Sequence, residues 1–310
     1  MRTLVRRLRV GIVMLVPLAG CERAREAPPV DSTVVAPTLP PDTAALPVMA
    51  TSAWPRAAGP LMAVPGAAPG DAIIVFPDLT DSTLTDTTRF ASARAEGVPL
   101  DLFDRGGLVT RDTVARMPPH EWTEGCIDWP GAVLRGTPLR WTVGFAAGRT
   151  TAIPLDSIEG MPAQDSSALA ATLARLASTL PDSAAGRFRG LPFRVRTAYQ
   201  LPLDGGGSAI VADLVRRVAL EANPQEEHTH LIIERDSAGA SWRVVHHDRR
   251  AGAEETLEAV ELLAAVRLGA DTHPALVLVR VGYETTAYAL LERLGPGRWQ
   301  TRWRSVTTGC

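Results

Sequence analysis

The last third of this chain repeats itself, and no other feature limits the fold as much. HTHLIIERDSAGASWRVVHHDR (228–249) aligns with TAYALLERLGPGRWQTRWRSV (286–306). Glu234-Arg235 match Glu292-Arg293, and Trp242 matches Trp299. Each segment reads as strand, glycine-containing turn and Trp-led strand. Ahead of each lies another matching pair, AYQLPLDGGGSAIVADLVRRV (198–218) and AAVRLGADTHPALVLVRVGYE (264–284). The repeating unit is therefore a four-stranded antiparallel meander of about sixty residues, present twice within 191–310.

Upstream, AIIVFPDLT reads as a strand, and VPLDLFDRGGLVTRDTV as a hairpin turning at Gly106-Gly107. PLRWTVGFAAGRTTAIPL reads as a second hairpin, around Ala146 to Gly148. These define a small β-rich unit, 71–158. A connection over 159–190 contains one main helix at about 165–180. Leu169, Leu173, Leu176 and Leu180 form its apolar stripe, Asp165 or Ser166 its cap, and Pro181 its stop. GAEETLEAVELLAAVRL (252–268) also reads as a short helix with its acids on the wet face. The expected fold class is α+β, mostly antiparallel β meanders with one main helix and two blade-like four-stranded units at the C-terminal end.

The repeated unit resembles a blade of the FG-GAP-type β-propellers, whose Asp-rich loops bind calcium. The matching loops here, Asp204-Gly-Gly-Gly and Gly269-Ala-Asp271-Thr-His, lack most of the carboxylates that six to eight oxygen ligands require. The resemblance therefore implies the meander, but neither the metal nor a closed ring.

The first residues have the three-part plan of a secretory signal: Arg2, Arg6, Arg7 and Arg9, then apolar Val10 to Leu18, then Leu18-Ala19-Gly20. The apolar run is about half of what a spanning helix needs. Cys21 directly after Leu-Ala-Gly resembles the lipobox of bacterial lipoproteins. That resemblance implies cleavage after residue 20, a covalent lipid (diacylglycerol plus palmitate) on Cys21, and attachment to the cell envelope. Glu22 in place of Asp favours the outer membrane, facing the periplasm or the exterior. Residues 22–70 hold ten prolines and no sustained period, as expected of a disordered Pro/Ala/Thr-rich tether.

Without residues 1–20 the chain keeps 28 basic against 34 acidic residues, a formal charge of −6. This speaks against a nucleic-acid partner. All the basic residues are arginine, which excludes Schiff-base chemistry, a Ser-x-x-Lys pair and a P-loop. With Cys21 lipidated, Cys126 and Cys310 are an even pair in a compartment that permits disulfides, and a bridge between them is expected.

One constellation could carry chemistry. His228 and His230 alternate along a strand and so share a face. A turn about Ala238-Gly239 sets His230 opposite Asp248 and Ile232 opposite His246. His228, His230, His246 and Asp248 would then offer imidazole and carboxylate ligands for zinc. A one-residue slip would substitute His247. The second repeat carries Thr286, Tyr288 and Arg304 at the matching positions, and Glu226-Glu227 suggest a solvated loop beside the histidines. HEWTE (120–124) fails as His-Glu-x-x-His because its fifth residue is Glu124. Cys126 reads as a structural cysteine between Trp122 and Trp129 rather than as a nucleophile based by His120. The resulting expectation is a lipid-anchored envelope protein with a non-catalytic binding or scaffolding role. Its partners would be the membrane, through the anchor, and an envelope protein or the cell wall; no resident cofactor is implied. The alternative is a metal-binding protein or metal-dependent hydrolase using the histidine face.

Overall fold

Strands that are apolar on alternate residues need one covered face, and strands that are apolar throughout need two. Both kinds occur here, and together they produce a layered molecule. The computed structural model describes residues 54–79, 94–120, 126–181, 186–218 and 224–310, all within one compact unit.

The first layer is a closed antiparallel barrel of six strands: β1 (Met62–Pro65), β2 (Asp71–Val75), β3 (Pro99–Asp104), β4 (Gly107–Arg116), β5 (Gly131–Leu134) and β6 (Val143–Ala146). Their order is β1-β2-β5-β4-β3-β6. Alternation decides which side chains fill it: Ala63, Ile74, Leu100, Leu102 and Val114 point inward, while Met62, Val64, Val75, Phe103 and Phe145 point outward. Gly144 sits where a Cβ would lie 2.6 Å from Leu102 Cδ2, so any larger residue there must push Leu102 aside within the barrel.

Next come β7 (Thr150–Ile153), β8 (Asp156–Ser157) and α1 (Ala163–Ser178), followed by β9 (Arg194–Pro202), β10 (Ser208–Val218), β11 (Gln225–Arg235) and β12 (Arg243–Ala253). The chain ends with β13 (Ala259–Leu268), β14 (Pro274–Val281), β15 (Thr285–Gly295), β16 (Arg298–Arg304) and β17 (Thr308–Gly309). The two expected meanders are present as β9–β12 and β13–β16. Each gains one edge strand, β8 on the first and β7 on the second, making sheets of five and six strands, with β17 added beside β15. The sheets face each other across a shared core that includes Leu201, Val211, Ile232, Leu262, Leu278 and Trp299. The six-stranded sheet turns its other face, with Leu263, Val266, Val277 and Leu290, onto the outer wall of the barrel. Helix α1 covers the outer face of the five-stranded sheet through Leu173 and Ala177 against Ile210, Leu231 and Ile233. The result is an α+β fold dominated by antiparallel strands. Among the described residues no helix is long and apolar enough to cross a membrane.

A buried ionic cluster fastens α1. Glu227 is fully buried and lies 2.9 Å from Arg216 and 3.1 Å from Arg249. Arg249 donates to the carbonyls of Ala177 (2.7 Å) in the last turn and Pro181 (2.8 Å) just beyond it, pinning the end of the helix. Arg216 donates to Phe188 O, and both guanidiniums lie over the Phe193 ring.

Several expectations require correction. The tether does not extend to residue 70: Trp54 is buried between Phe145 of the barrel and Trp303 of β16, and β1 is a barrel strand. The barrel needs a strand between β2 and β6, and Met62-Ala63-Val64 supplies one between Pro60 and Pro65. The segment around Ala146–Gly148 is not a hairpin, because β6 pairs with β1 and β3 while β7 crosses to β13. The unit boundary at 158 therefore cuts through the larger sheet. Residues 259–268 form β13 rather than a helix. Their apolar run is long because both faces of that strand are covered, with a bulge at Leu262/Ala264. Helix α1 begins at Ala163 behind Pro162, ahead of Asp165. Glu226 and Glu227 are buried in β11, not in a solvated loop.

Candidate functional site

The strands β9, β11, β13 and β15 begin at one end of the sandwich, and there the two sheets part around a groove of about 830 Å³. The wall from the five-stranded sheet is cationic. Along β10 the inward face runs Ala209, Val211, Asp213, Val215 and Arg217, the last three nearing and reaching the opening. A bulge opposite Asp213/Leu214 leaves Arg196 as the extra residue of β9, and its guanidinium turns to the Asp213 carboxylate at 3.3 Å. Arg194 lines the same wall, as do Glu226 and His228 from β11. The facing wall is largely apolar: Leu257, Ala259, Val281, Gly282 and Tyr283.

The charges of the cationic wall are interlocked. His228 Nε2 lies 2.7 Å from Glu226 Oε2, and its Nδ1 lies 3.5 Å from Arg196 Nη1. Arg217 forms an ion pair with the same Glu226 carboxylate. Burial raises the Glu226 pKa, but the hydrogen bonds from His228 and Arg217 outweigh it and hold the group below its ordinary range.

Deeper in, Asp213, His230 and Asp248 stand side by side on β10, β11 and β12. Asp213 is 6% exposed, and its Oδ1 has no hydrogen-bond partner among the described residues. Burial pushes its pKa up to about 6 against the pull of Arg196 and His228. His230 is 4% exposed and neither ring nitrogen is bonded among the described residues. Burial, with His246 beside it, pushes that imidazole down to about 3, so it is neutral at physiological pH. Burial also lowers His246. Asp248 is itself desolvated, yet its ion pair with Arg280 of β14 keeps it below the ordinary carboxylate range. Arg250 approaches Asp248 at 3.6 Å, and Glu258 takes Arg280 and Arg304 at 3.4 and 3.5 Å.

The four residues considered as zinc ligands thus lie on one sheet face, with His230 opposite Asp248 and Ile232 opposite His246. Their donor atoms turn to different partners: His228 to Glu226, and Asp248 to Arg280. Among the described residues no group of three or more His, Cys, Asp or Glu side chains is gathered to hold a metal. A divalent cation at Asp248 would have to displace Arg280 in a neighbourhood already holding Arg250 and Arg304.

Cys126 and Cys310 are joined by a disulfide across a separation of 184 residues. Beside it Ile127 and Gly309 exchange backbone hydrogen bonds of 2.9 and 2.8 Å. The bridge therefore ties the C-terminal strand β17 to the connection entering β5. Cys21, Trp122 and the Glu121–Glu124 part of HEWTE lie outside the described residues. Sequence reasoning missed Asp213, Arg196, Arg217 and Tyr283. The signal for the first was present, since SAIVADLVRRV places one acid in the middle of an apolar strand.

No protein family, curated protein or solved structure matches this chain.

Proposed function

We propose that this is a lipid-anchored cell-envelope protein whose body is a non-catalytic binding module, with the groove between the two sheets as its recognition surface. The groove carries this reading: it has the volume of a ligand site, and on its charged wall Arg196, Arg217 and His228 are positioned by the carboxylates of Asp213 and Glu226. The signal segment and lipobox support the anchor on Cys21, with the outer membrane as the favoured destination. Residues 22–53, rich in proline and alanine, suit a tether. An envelope protein or the cell wall remains the partner in view.

The test has two parts. Radiolabelled palmitate should enter the chain in cells and should not enter Cys21→Ala, which should also move from the membrane to the soluble fraction. Unchanged membrane attachment of that variant would sink the anchor. A second reading, metal binding at the histidine face, draws on the unbonded ring nitrogens of His230 beside His246 and Asp248. Elemental analysis after dialysis against zinc decides it: a stoichiometric metal lost in His228→Ala would replace the binding-module reading.

A further inference from the structure

The two walls of the groove differ in chemistry, and the difference defines what can lie between them. On one side are three exposed guanidiniums, Arg194, Arg196 and Arg217. Arg196 and Arg217 each have an acid, Asp213 and Glu226, whereas Arg194 has no acid partner among the described residues. The wall therefore has cationic capacity to spare. On the other side Val281 is 45% and Tyr283 77% exposed, two of the few large hydrophobic residues left open to solvent. An apolar residue and an aromatic ring thus stand together at the rim of a ligand-sized groove and give it an apolar lip.

We propose that the groove binds an amphipathic organic anion, its carboxylate or phosphate taken by Arg194 and Arg196 and its apolar body laid against Leu257, Val281 and Tyr283. This rests on the binding-module reading above and specifies its ligand class. Arginine suits the task because its planar fork meets either head group with two parallel hydrogen bonds. Arg217, paired more closely with Glu226 than Arg196 is with Asp213, supplies field rather than a donor fork. His228 stands between Glu226 and Arg196, its Nδ1 3.5 Å from Arg196 Nη1.

The experiment is calorimetric titration of the full chain carrying Cys21→Ala. The probes are decanoate and decyl phosphate, each below its micelle concentration, with inorganic phosphate and neutral decanol as controls. One saturable site is expected for at least one amphipathic anion, and which head group binds assigns the source. Inorganic phosphate should bind roughly a hundredfold more weakly, because it leaves the apolar wall uncovered. Decanol should bind about tenfold more weakly or worse, lacking the charge-assisted bonds. Arg194→Gln with Arg196→Gln should weaken the anion about tenfold or more. Tyr283→Ala, at an exposed site that carries no folding risk, should weaken it by several fold. Absence of saturation by both anions overturns the proposal, as does binding indifferent to substitutions on both walls. A photoreactive analogue in place of Tyr283, illuminated in cells, separates the two levels. A discrete adduct with both anions silent overturns the anion and leaves a binding module; no adduct and no binding overturns both.

Discussion

Replacing Asp213 by asparagine should change how stability depends on pH, and the change can be worked out beforehand. The carboxyl is 6% exposed, and burial holds its pKa near 6 against an ordinary 3.8. Between these values the native protein keeps a proton that the unfolded chain has lost. Asp213 therefore contributes stability at low pH that is lost as pH rises through the window, at about 1.4 kcal/mol per unit. The accumulated loss is about 3 kcal/mol by pH 6 and stays constant above it. His230 has the opposite sign. Its imidazole, held near 3 rather than 6.5, rejects a proton that the unfolded chain accepts, so its contribution falls as pH drops below 6.5. Across roughly pH 4 to 6 the two slopes oppose each other. The amide of Asp213→Asn cannot titrate, so the variant should show the His230 slope uncovered. Arg196 is 47% exposed, and water can take over its lost ion pair. Urea unfolding followed by Trp fluorescence, in chelator at several pH values, gives the comparison. The variant should match the wild type near pH 4 and exceed it by about 3 kcal/mol at pH 7. Other carboxylates contribute equally to both proteins and cancel in the difference. Parallel curves for the two proteins would refute the reasoning, because they would mean that Asp213 titrates as a solvated group.

Three further outcomes follow from buried contacts. Glu227→Ala removes the fully buried carboxylate that Arg216 and Arg249 share, so unfolding free energy should drop by about 3–5 kcal/mol in urea; a loss under about 1 kcal/mol would show the triad to be energetically idle. Cys310→Ser should lower stability by at most about 5 kcal/mol, the loop-closure limit for a bridge of this span, and the intact protein should gain two mass units on reduction. No mass change would mean that the thiols are free. Gly144→Ala places a methyl group against Leu102 inside the barrel and should cost about 1–3 kcal/mol in thermal or urea unfolding, a neutral result being incompatible with a filled barrel.

Local order was legible wherever a turn and an alternating strand specify each other. Asp104 Oδ1 accepts from the backbone of Gly106 and Gly107, and that turn alone joins β3 to β4. The β11–β12 hairpin was readable in outline, with its turn at Ala238-Gly239, but His230 faces Asp248 only because a bulge at Val245, between the Ile233–Val244 and Ile232–His246 pairs, shifts the register by one residue. The site was legible only in part. The histidines were visible as residue types, but what they touch was not. His228 is engaged by Glu226 and by Arg196, a residue displaced by a bulge that nothing in RVRTAYQLP announces.

By itself, the sequence determined the twofold meander and the single long helix, since each depends on spacing along the chain, and it offered the disulfide by cysteine count alone. Tertiary structure alone decided three matters. It recruited Met62–Pro65 from a proline-rich stretch as the strand that closes a barrel, because an unpaired edge between β2 and β6 would leave backbone groups without partners. It made 259–268 a strand, because a position between two cores rewards an apolar run whatever its local propensity. And it gave Asp213 and His230 their unusual protonation, since a pKa depends on how much water the rest of the fold removes.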